Sequence, residues 1–69
     1  MTDPAIWTRI EGQWDAFKGL VRDHWLKFTE DDIAAIAGNR DRLIDRIQAR
    51  YGVGADEAER EVRDWEMHV

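Results

Sequence analysis

Large apolar side chains recur every three or four residues through the first 28 positions of the chain, and this spacing leaves few folds open. At about 100° per residue they lie on one stripe about 80° wide, which is the pattern of an amphipathic helix. They are Trp7, Ile10, Trp14, Phe17, Val21, Trp25 and Phe28. Asp3 followed by Pro4 is typical of a helix start, with a capping carboxylate and then proline at the first helical position. The spacing predicts a first helix over residues 4–27.

Three shorter helices are predicted after residue 28. Thr29 is a helix-capping residue, and the three acids that follow it favour the positive end of a helix. Asn39 caps the next helix after Gly38 ends the one before, and Gly52 is typical of a left-handed residue at a helix end. The predicted helices cover residues 30–37, 40–51 and 56–66. No segment shows the alternating apolar pattern of a β-strand, so the sequence predicts an all-α fold.

The first predicted helix is too long for a domain of this size. Residues 4–27 in one helix would span about 36 Å, whereas a compact chain of 69 residues is about 28 Å across. The helix must therefore overhang the domain, curve around it or break. Gly19 is the predicted bend, because glycine costs about 1 kcal/mol relative to alanine inside a helix.

The core must come from dense aromatic packing. A chain this short buries only about 60% of its unfolded surface, and small domains often add disulfides or metals. This chain has no cysteine but four tryptophans, and each tryptophan brings a large apolar area. Trp7 has the weakest case for burial because it lies near the chain end. The predicted core comprises Trp14, Phe17, Val21, Trp25, Ile36, Leu43, Ile47, Val62 and Trp65.

The charge is unevenly distributed along the chain. The net charge is −5, and residues 1–28 carry four basic and four acidic groups, so residues 29–69 carry the whole excess. An acidic protein is repelled by phosphate backbones and by anionic lipid, which disfavours nucleic acid and membranes as partners. No apolar run approaches the ~20 residues of a membrane span, and the N-terminus lacks the features of a secretory signal. We expect a cytoplasmic protein.

Several short motifs follow one another along the chain, and the first of them fits W-x-x-F-K-G. They are Trp14-Asp15-Ala16-Phe17-Lys18-Gly19, Phe28-Thr29-Glu30-Asp31-Asp32, Ile36-Ala37-Gly38, Tyr51-Gly52 and Asp56-Glu57-Ala58-Glu59. In order and spacing these motifs resemble those of the CsbD-like family of small bacterial general-stress-response proteins. The resemblance implies one compact four-helix domain over residues 1–69, built as two crossed α-hairpins similar to sterile-alpha-motif-like folds. It implies induction under general stress and no known reaction.

Acids beside a histidine form the candidate for a metal or acid–base site. Asp31 and Asp32 follow His24 closely, but a metal site needs three or four converging ligands and no further ligand is apparent. We interpret the two acids as helix-capping groups. Asp32 stands where a capping box prefers Glu or Gln, so the box is expected to be imperfect. No metal and no cofactor is predicted.

Arginines recur every four residues on the third predicted helix, at Arg42, Arg46 and Arg50. A basic stripe of this kind can bind phosphates. Asp41 and Asp45 interrupt it, however, and the fourth predicted helix is rich in acids. We expect the arginines to pair within the protein, with that helix as the facing candidate, or to be solvated, and nucleic-acid binding through them is the alternative.

Small residues recur on the other side of the first predicted helix, at Gly12, Ala16 and Gly19. They face away from the tryptophan stripe, so the core does not account for them. A face of small residues lets another backbone approach closely. We interpret it either as an exposed, softened helix face or as a docking surface for a protein partner or a second copy.

The main hypothesis is a non-enzymatic general-stress-response protein that acts through contacts with an unknown protein partner or by self-association. A nucleic-acid-binding helical module that uses the arginines of the third helix is the first alternative. An enzyme with an unrecognised site is the second. The chain has no nucleotide-binding fingerprint and no Ser/His/Asp set, and with two histidines and no cysteine catalysis is not expected.

Overall fold

The computed structural model describes residues 4–68, and all of its regular structure is helical. Five helices follow one another: α1 (Pro4–Gly12), α2 (Trp14–His24), α3 (Glu30–Ile36), α4 (Arg40–Tyr51) and α5 (Ala55–Glu66). The all-α class is confirmed, and Pro4 begins α1 as expected. The predicted capping residue Asp3 lies outside the described residues.

The first predicted helix is divided in two, so the prediction of four helices is wrong. The break is at Gln13, whose φ of −125° and ψ of 40° are not helical. Gly19, the predicted bend, lies inside α2. The domain measures 28 × 28 × 17 Å, too small for a straight helix of about 36 Å. Gly12, directly before the break, weakens the helix at that point.

The ends of the later helices follow the local sequence. The Thr29 hydroxyl accepts a hydrogen bond from the Asp32 amide, and the Asp32 carboxylate accepts one from the Thr29 amide. The capping box is therefore complete with aspartate in place of Glu or Gln. Asn39 accepts from the Arg42 amide at the start of α4, and Gly52 ends that helix at a φ of 65°. The predicted caps at Thr29 and Asn39 and the left-handed Gly52 are confirmed, whereas the expectation of an imperfect capping box is wrong, because the aspartate side chain reaches the Thr29 amide.

A close approach between α1 and the end of α3 requires glycine at position 38. Gly38 is buried and has a φ of 79°. A methyl group added there would lie 2.7 Å from the Cα of Glu11 and 3.2 Å from its nitrogen. Ala37 beside it also has a left-handed backbone, with a φ of 46°. The chain thus reverses between α3 and α4 directly against the backbone of α1.

The core cluster draws on all five helices. Its buried members are Trp7, Ile10, Val21, Trp25, Phe28, Ile33, Ile36, Leu43, Ile47, Ala58, Val62 and Trp65. Seven of the nine predicted core residues are among them, whereas Trp14 and Phe17 are partly buried and pack against its edge. Trp7 is only 9% exposed. Its ring lies 5.9 Å from that of Trp65, which itself lies 5.8 Å from Trp25.

A buried carboxylate ties the two ends of the described chain together. Glu66, on α5, accepts hydrogen bonds of 2.7 Å from the indole nitrogen of Trp7 and from the Nε of Arg40. Its side chain is only 6% exposed. Because these donors lie on α1 and α4, one acidic side chain joins three helices.

The helices are not arranged as two crossed hairpins in the simple form expected. α4 and α5 form an antiparallel hairpin joined by residues 52–54, and α3 packs against α4. The N-terminal part contributes two helices, α1 and α2, because of the break at Gln13, and α2 also packs against α3. No helix within residues 4–68 has the length and apolar character needed to cross a bilayer.

Candidate functional site

An open groove of about 530 Å³ lies between α2 and α3. We refer to it as the α2–α3 groove. Apolar and small side chains contribute much of its lining, with charged groups among them. The lining residues are Trp14, Asp15, Ala16, Lys18, Gly19, Arg22, Glu30, Ile33 and Ala34. An apolar surface with charged groups around it is the usual anatomy of a protein-contact surface.

The charged groups of the groove form two exposed ion pairs. The Lys18 ammonium lies 3.3 Å from the Asp15 carboxylate on the same helix. Arg22 is paired with Glu30, which lies across the groove on α3. The side chains of Asp15 and Glu30 are 97% and 82% exposed, so solvent screens both pairs and they contribute little to stability. The charges remain available for an approaching molecule.

The structure places the predicted small-residue face only in part at this groove. Ala16 and Gly19 line it, whereas Gly12 is the last residue of α1 and lies outside it. All three are exposed. The break at Gln13 separates Gly12 from the other two, so the three residues do not form one continuous helix face. Whether they contact a partner stays a prediction.

The arginine stripe on α4 is engaged within the protein. Arg46 Nη1 lies 3.0 Å from Asp32, and Arg50 binds the same carboxylate through Nε at 2.6 Å and Nη2 at 2.9 Å. Arg42 donates to the Ala35 carbonyl at the end of α3. The predicted pairing within the protein is confirmed for Arg46 and Arg50. The partner is Asp32 of α3 and not an acid of the last helix, because α4 turns this side towards α3.

Asp32 combines two structural tasks. Its side chain is fully buried, caps α3 and accepts hydrogen bonds from two arginines. The hydrogen bonds from Arg50 hold the pKa of the Asp32 carboxyl well below its usual range, against the opposing effect of burial, and the Thr29 amide lowers it further. The same pairing raises the pKa of Arg50. A carboxylate held ionised between two arginines is a poor proton donor or acceptor near neutral pH.

The candidate metal site is not assembled. Within residues 4–68, no three histidine, aspartate or glutamate side chains converge to hold a metal ion. His24 packs edge-on against Trp25 with ring centroids 4.5 Å apart. Asp32, its proposed co-ligand, is occupied by the capping box and the arginines.

Of the groove residues, only Ala16 and Gly19 were predicted from the sequence as a contact surface. Asp15, Lys18 and Arg22 lie at i, i+3 and i+7, which puts them on one face of α2 together with Gly19. This spacing is present in the sequence, but the charged residues were not interpreted with the small ones. The α3 side, at Ile33 and Ala34, had no sequence signal, because the pairing of α2 with α3 is a tertiary contact.

Curated relatives from other bacteria match most of the chain, although no family model matches it. The UPF0337 protein YjbJ of Escherichia coli K12 is 53% identical over 55 residues, which are 80% of each protein. A UPF0337 protein of Pectobacterium atrosepticum is 49% identical over 60 residues, 87% of each. One from Rhodopseudomonas palustris is 46% identical over 59 residues, 86% of this chain and 89% of the relative.

Proposed function

Since the chain belongs to the UPF0337 family of CsbD-like proteins, we propose that it is a non-enzymatic, cytoplasmic general-stress-response protein that acts through protein–protein contacts. The observation that carries the proposal is the α2–α3 groove, which joins apolar lining to exposed charges on the same surface. Ala16 and Gly19 allow another backbone to approach that surface closely. The stress-response role rests on the motifs shared with the CsbD-like family.

The structural roles of the two buried carboxylates support the proposal that the protein is not an enzyme. Asp32 caps α3 and binds two arginines. Glu66 binds Trp7 and Arg40. Both carboxylates hold helices together, which is a structural use of charge. The groove itself exposes its ion pairs to solvent instead of enclosing them in a cleft.

Loss of function without loss of folding is the expected effect of filling the groove. Ala16→Leu adds three carbon atoms to an exposed helical position, so it should leave the thermal midpoint of unfolding within a few degrees of wild type. In a bacterial strain that lacks its own copy, this variant should fail to restore survival under stress. Ala49→Leu, an equal change at an exposed position of α4, is the matched control and should restore survival.

A photo-crosslinking residue separates direct contact from an indirect effect. Placed at position 19 on the groove, it should form protein adducts in stressed cells, whereas the same residue at position 49 should not. If Ala16→Leu restores survival as well as the control does, and position 19 forms no adduct, the proposal is wrong.

Nucleic-acid binding by Arg42, Arg46 and Arg50 ranks second. Phosphate contacts would have to compete with Asp32 for Arg46 and Arg50, in a protein whose net charge is −5. Binding of DNA or RNA that weakens steeply with added salt, and that is lost in Arg42→Gln, would support it.

A further inference from the structure

We infer that two copies of this chain pair through their α2 helices, each α2 lying antiparallel to the other along the α2–α3 groove. The inference deepens the proposed function, on which it rests, by naming a second copy of this chain as the occupant of the groove. It depends on the distribution of charge over the molecule and on the order of charges along α2.

The net charge restricts which sides of two copies can meet. Residues 29–69 carry eleven acidic and six basic groups, whereas residues 1–28 carry four of each. α5 carries six acidic and two basic groups, so two copies that met through α5 would bring like charge together, which is unfavourable. α2 carries two acidic and two basic groups, so a contact between two α2 helices avoids that repulsion.

The charges on the groove face of α2 are complementary to themselves. A contact between identical copies about a two-fold axis uses the same patch twice, so the patch must match its own reversed image. Asp15 lies near the start of this face and Arg22 near its end. In an antiparallel pair centred between Lys18 and Gly19, Asp15 of one copy lies opposite Arg22 of the other. The two-fold axis supplies this pair twice.

The centre of the same face permits the close approach that such a pair needs. Gly19 lies there, and a methyl group added to it would meet nothing within 4 Å. The absent side chain leaves room for the backbone of the second helix at the short end of the usual interhelical distance of about 8–10 Å. The half-buried Trp14 and the exposed Ala34 of α3 offer apolar surface beside it.

Within one copy, Asp15 and Arg22 do not pair with each other. Asp15 is paired with Lys18, and Arg22 with Glu30. Seven residues of helix separate Asp15 from Arg22 by about 10 Å along the axis. An energetic coupling between these two positions would therefore report a contact between copies.

Charge reversal in single and paired variants tests the inference by sedimentation equilibrium at low salt. The wild type should form dimers at high protein concentration, and Asp15→Arg and Arg22→Asp should each raise the dimer dissociation constant about tenfold. The double variant Asp15→Arg/Arg22→Asp should recover most of that loss, because the pair is restored with its signs exchanged. Circular dichroism shows whether each variant stays folded, and Ala49→Leu should dimerise like wild type.

A wild type that stays monomeric at millimolar concentration overturns the inference. The inference is also overturned if neither single reversal changes the dimer dissociation constant, or if the double variant does not recover dimerisation. In either case the copies meet through another face. The proposed function has a separate outcome. Crosslinks from position 19 to a different protein, with a monomeric wild type, would retain the protein-contact function and reject the second copy as the occupant.

Discussion

Replacing Gly38 by alanine tests how α1 is held against the rest of the fold. Two separate effects oppose the change. The φ of 79° is a backbone conformation that alanine adopts at a cost, and the new methyl group would lie 2.7 Å from the Cα of Glu11. Backbone atoms cannot move aside as a side chain can, so α1 must shift away from the end of α3.

Gly52 provides a matched control for the backbone effect. Its φ is 65°, but an added methyl group there meets nothing within 4 Å. Gly52→Ala should therefore destabilise by about 1 kcal/mol, since the left-handed cost of about 1–2 kcal/mol is partly offset by the stiffer unfolded chain. Gly38→Ala carries the same effect and adds about 1–3 kcal/mol for the overlap with α1. Its total should be about 2–4 kcal/mol.

Urea unfolding, followed by circular dichroism, measures both free energies of unfolding. The difference between the two losses in free energy of unfolding gives the cost of the steric overlap between the added methyl group and α1. The effect of exchanging glycine for alanine on the unfolded state is nearly the same in both variants and cancels. Equal losses would refute the reasoning, since they would mean that α1 does not press against Gly38. A total stability of about 5 kcal/mol is reasonable for so small a domain, so Gly38→Ala should still be measurably folded.

Three further changes test the core, the buried carboxylate and the groove helix. Trp25→Ala should destabilise by about 3–5 kcal/mol, whereas Leu26→Ala, at a side chain that is 82% exposed, should stay within about 0.5 kcal/mol of wild type in the same urea assay. Because the pKa of Asp32 is lowered in the folded state, its ionisation stabilises the fold above the usual aspartate pKa of about 4 and this stability is lost as the pH falls below it. Urea unfolding at pH 7 and pH 3 should therefore show a larger acid-induced loss for wild type than for Asp32→Asn, and equal losses would contradict the assignment. Gly19→Ala should raise the thermal midpoint at low protein concentration, since it gains about 0.5–1 kcal/mol of helix propensity without a clash, and a lower midpoint would indicate a contact in the monomer.

Helix ends in this protein could be predicted because their signals are local. The Thr29 cap, the Asn39 cap and the reversal at Gly52 each depend on residues within a few positions of one another. Such signals act over one turn of helix and need no tertiary context. The capping box shows the same locality, although aspartate fills a position where glutamate or glutamine was expected.

Tertiary contacts explain what the sequence analysis missed. Burial of Trp7 depends on its contacts with Trp65 and Glu66, which lie nearly sixty positions away. The apolar periodicity continues through Gln13 without interruption, so it gives no sign of the break there. The first predicted helix is longer than the domain, which correctly indicated a bend or break. Gly19 was the predicted position only because glycine has a low helix propensity.

Asp32 shows why a basic stripe in a sequence is weak evidence for phosphate binding. Four-residue spacing puts Arg42, Arg46 and Arg50 on one side of α4, but it does not say which helix that side faces. In the structure it faces α3, where one fully buried carboxylate accepts hydrogen bonds from two of the three guanidinium groups. The N–H groups that bind Asp32 are already used, and this carboxylate offsets part of the positive charge that would attract a phosphate.

The break at Gln13 also decides which small residues can act together. In an unbroken helix Gly12 would continue the line of Ala16 and Gly19, and a docking helix would lie along all three. Because α1 turns away to bury Trp7 against α5, that line ends at α2. The surface that remains is bounded by α3. Its charged groups set the direction in which another helix can lie, and they run from Asp15 to Arg22 along α2, with Glu30 across the groove. A partner that binds here must therefore match the order of those charges as well as the narrow space at Gly19, and an antiparallel copy of α2 meets both requirements.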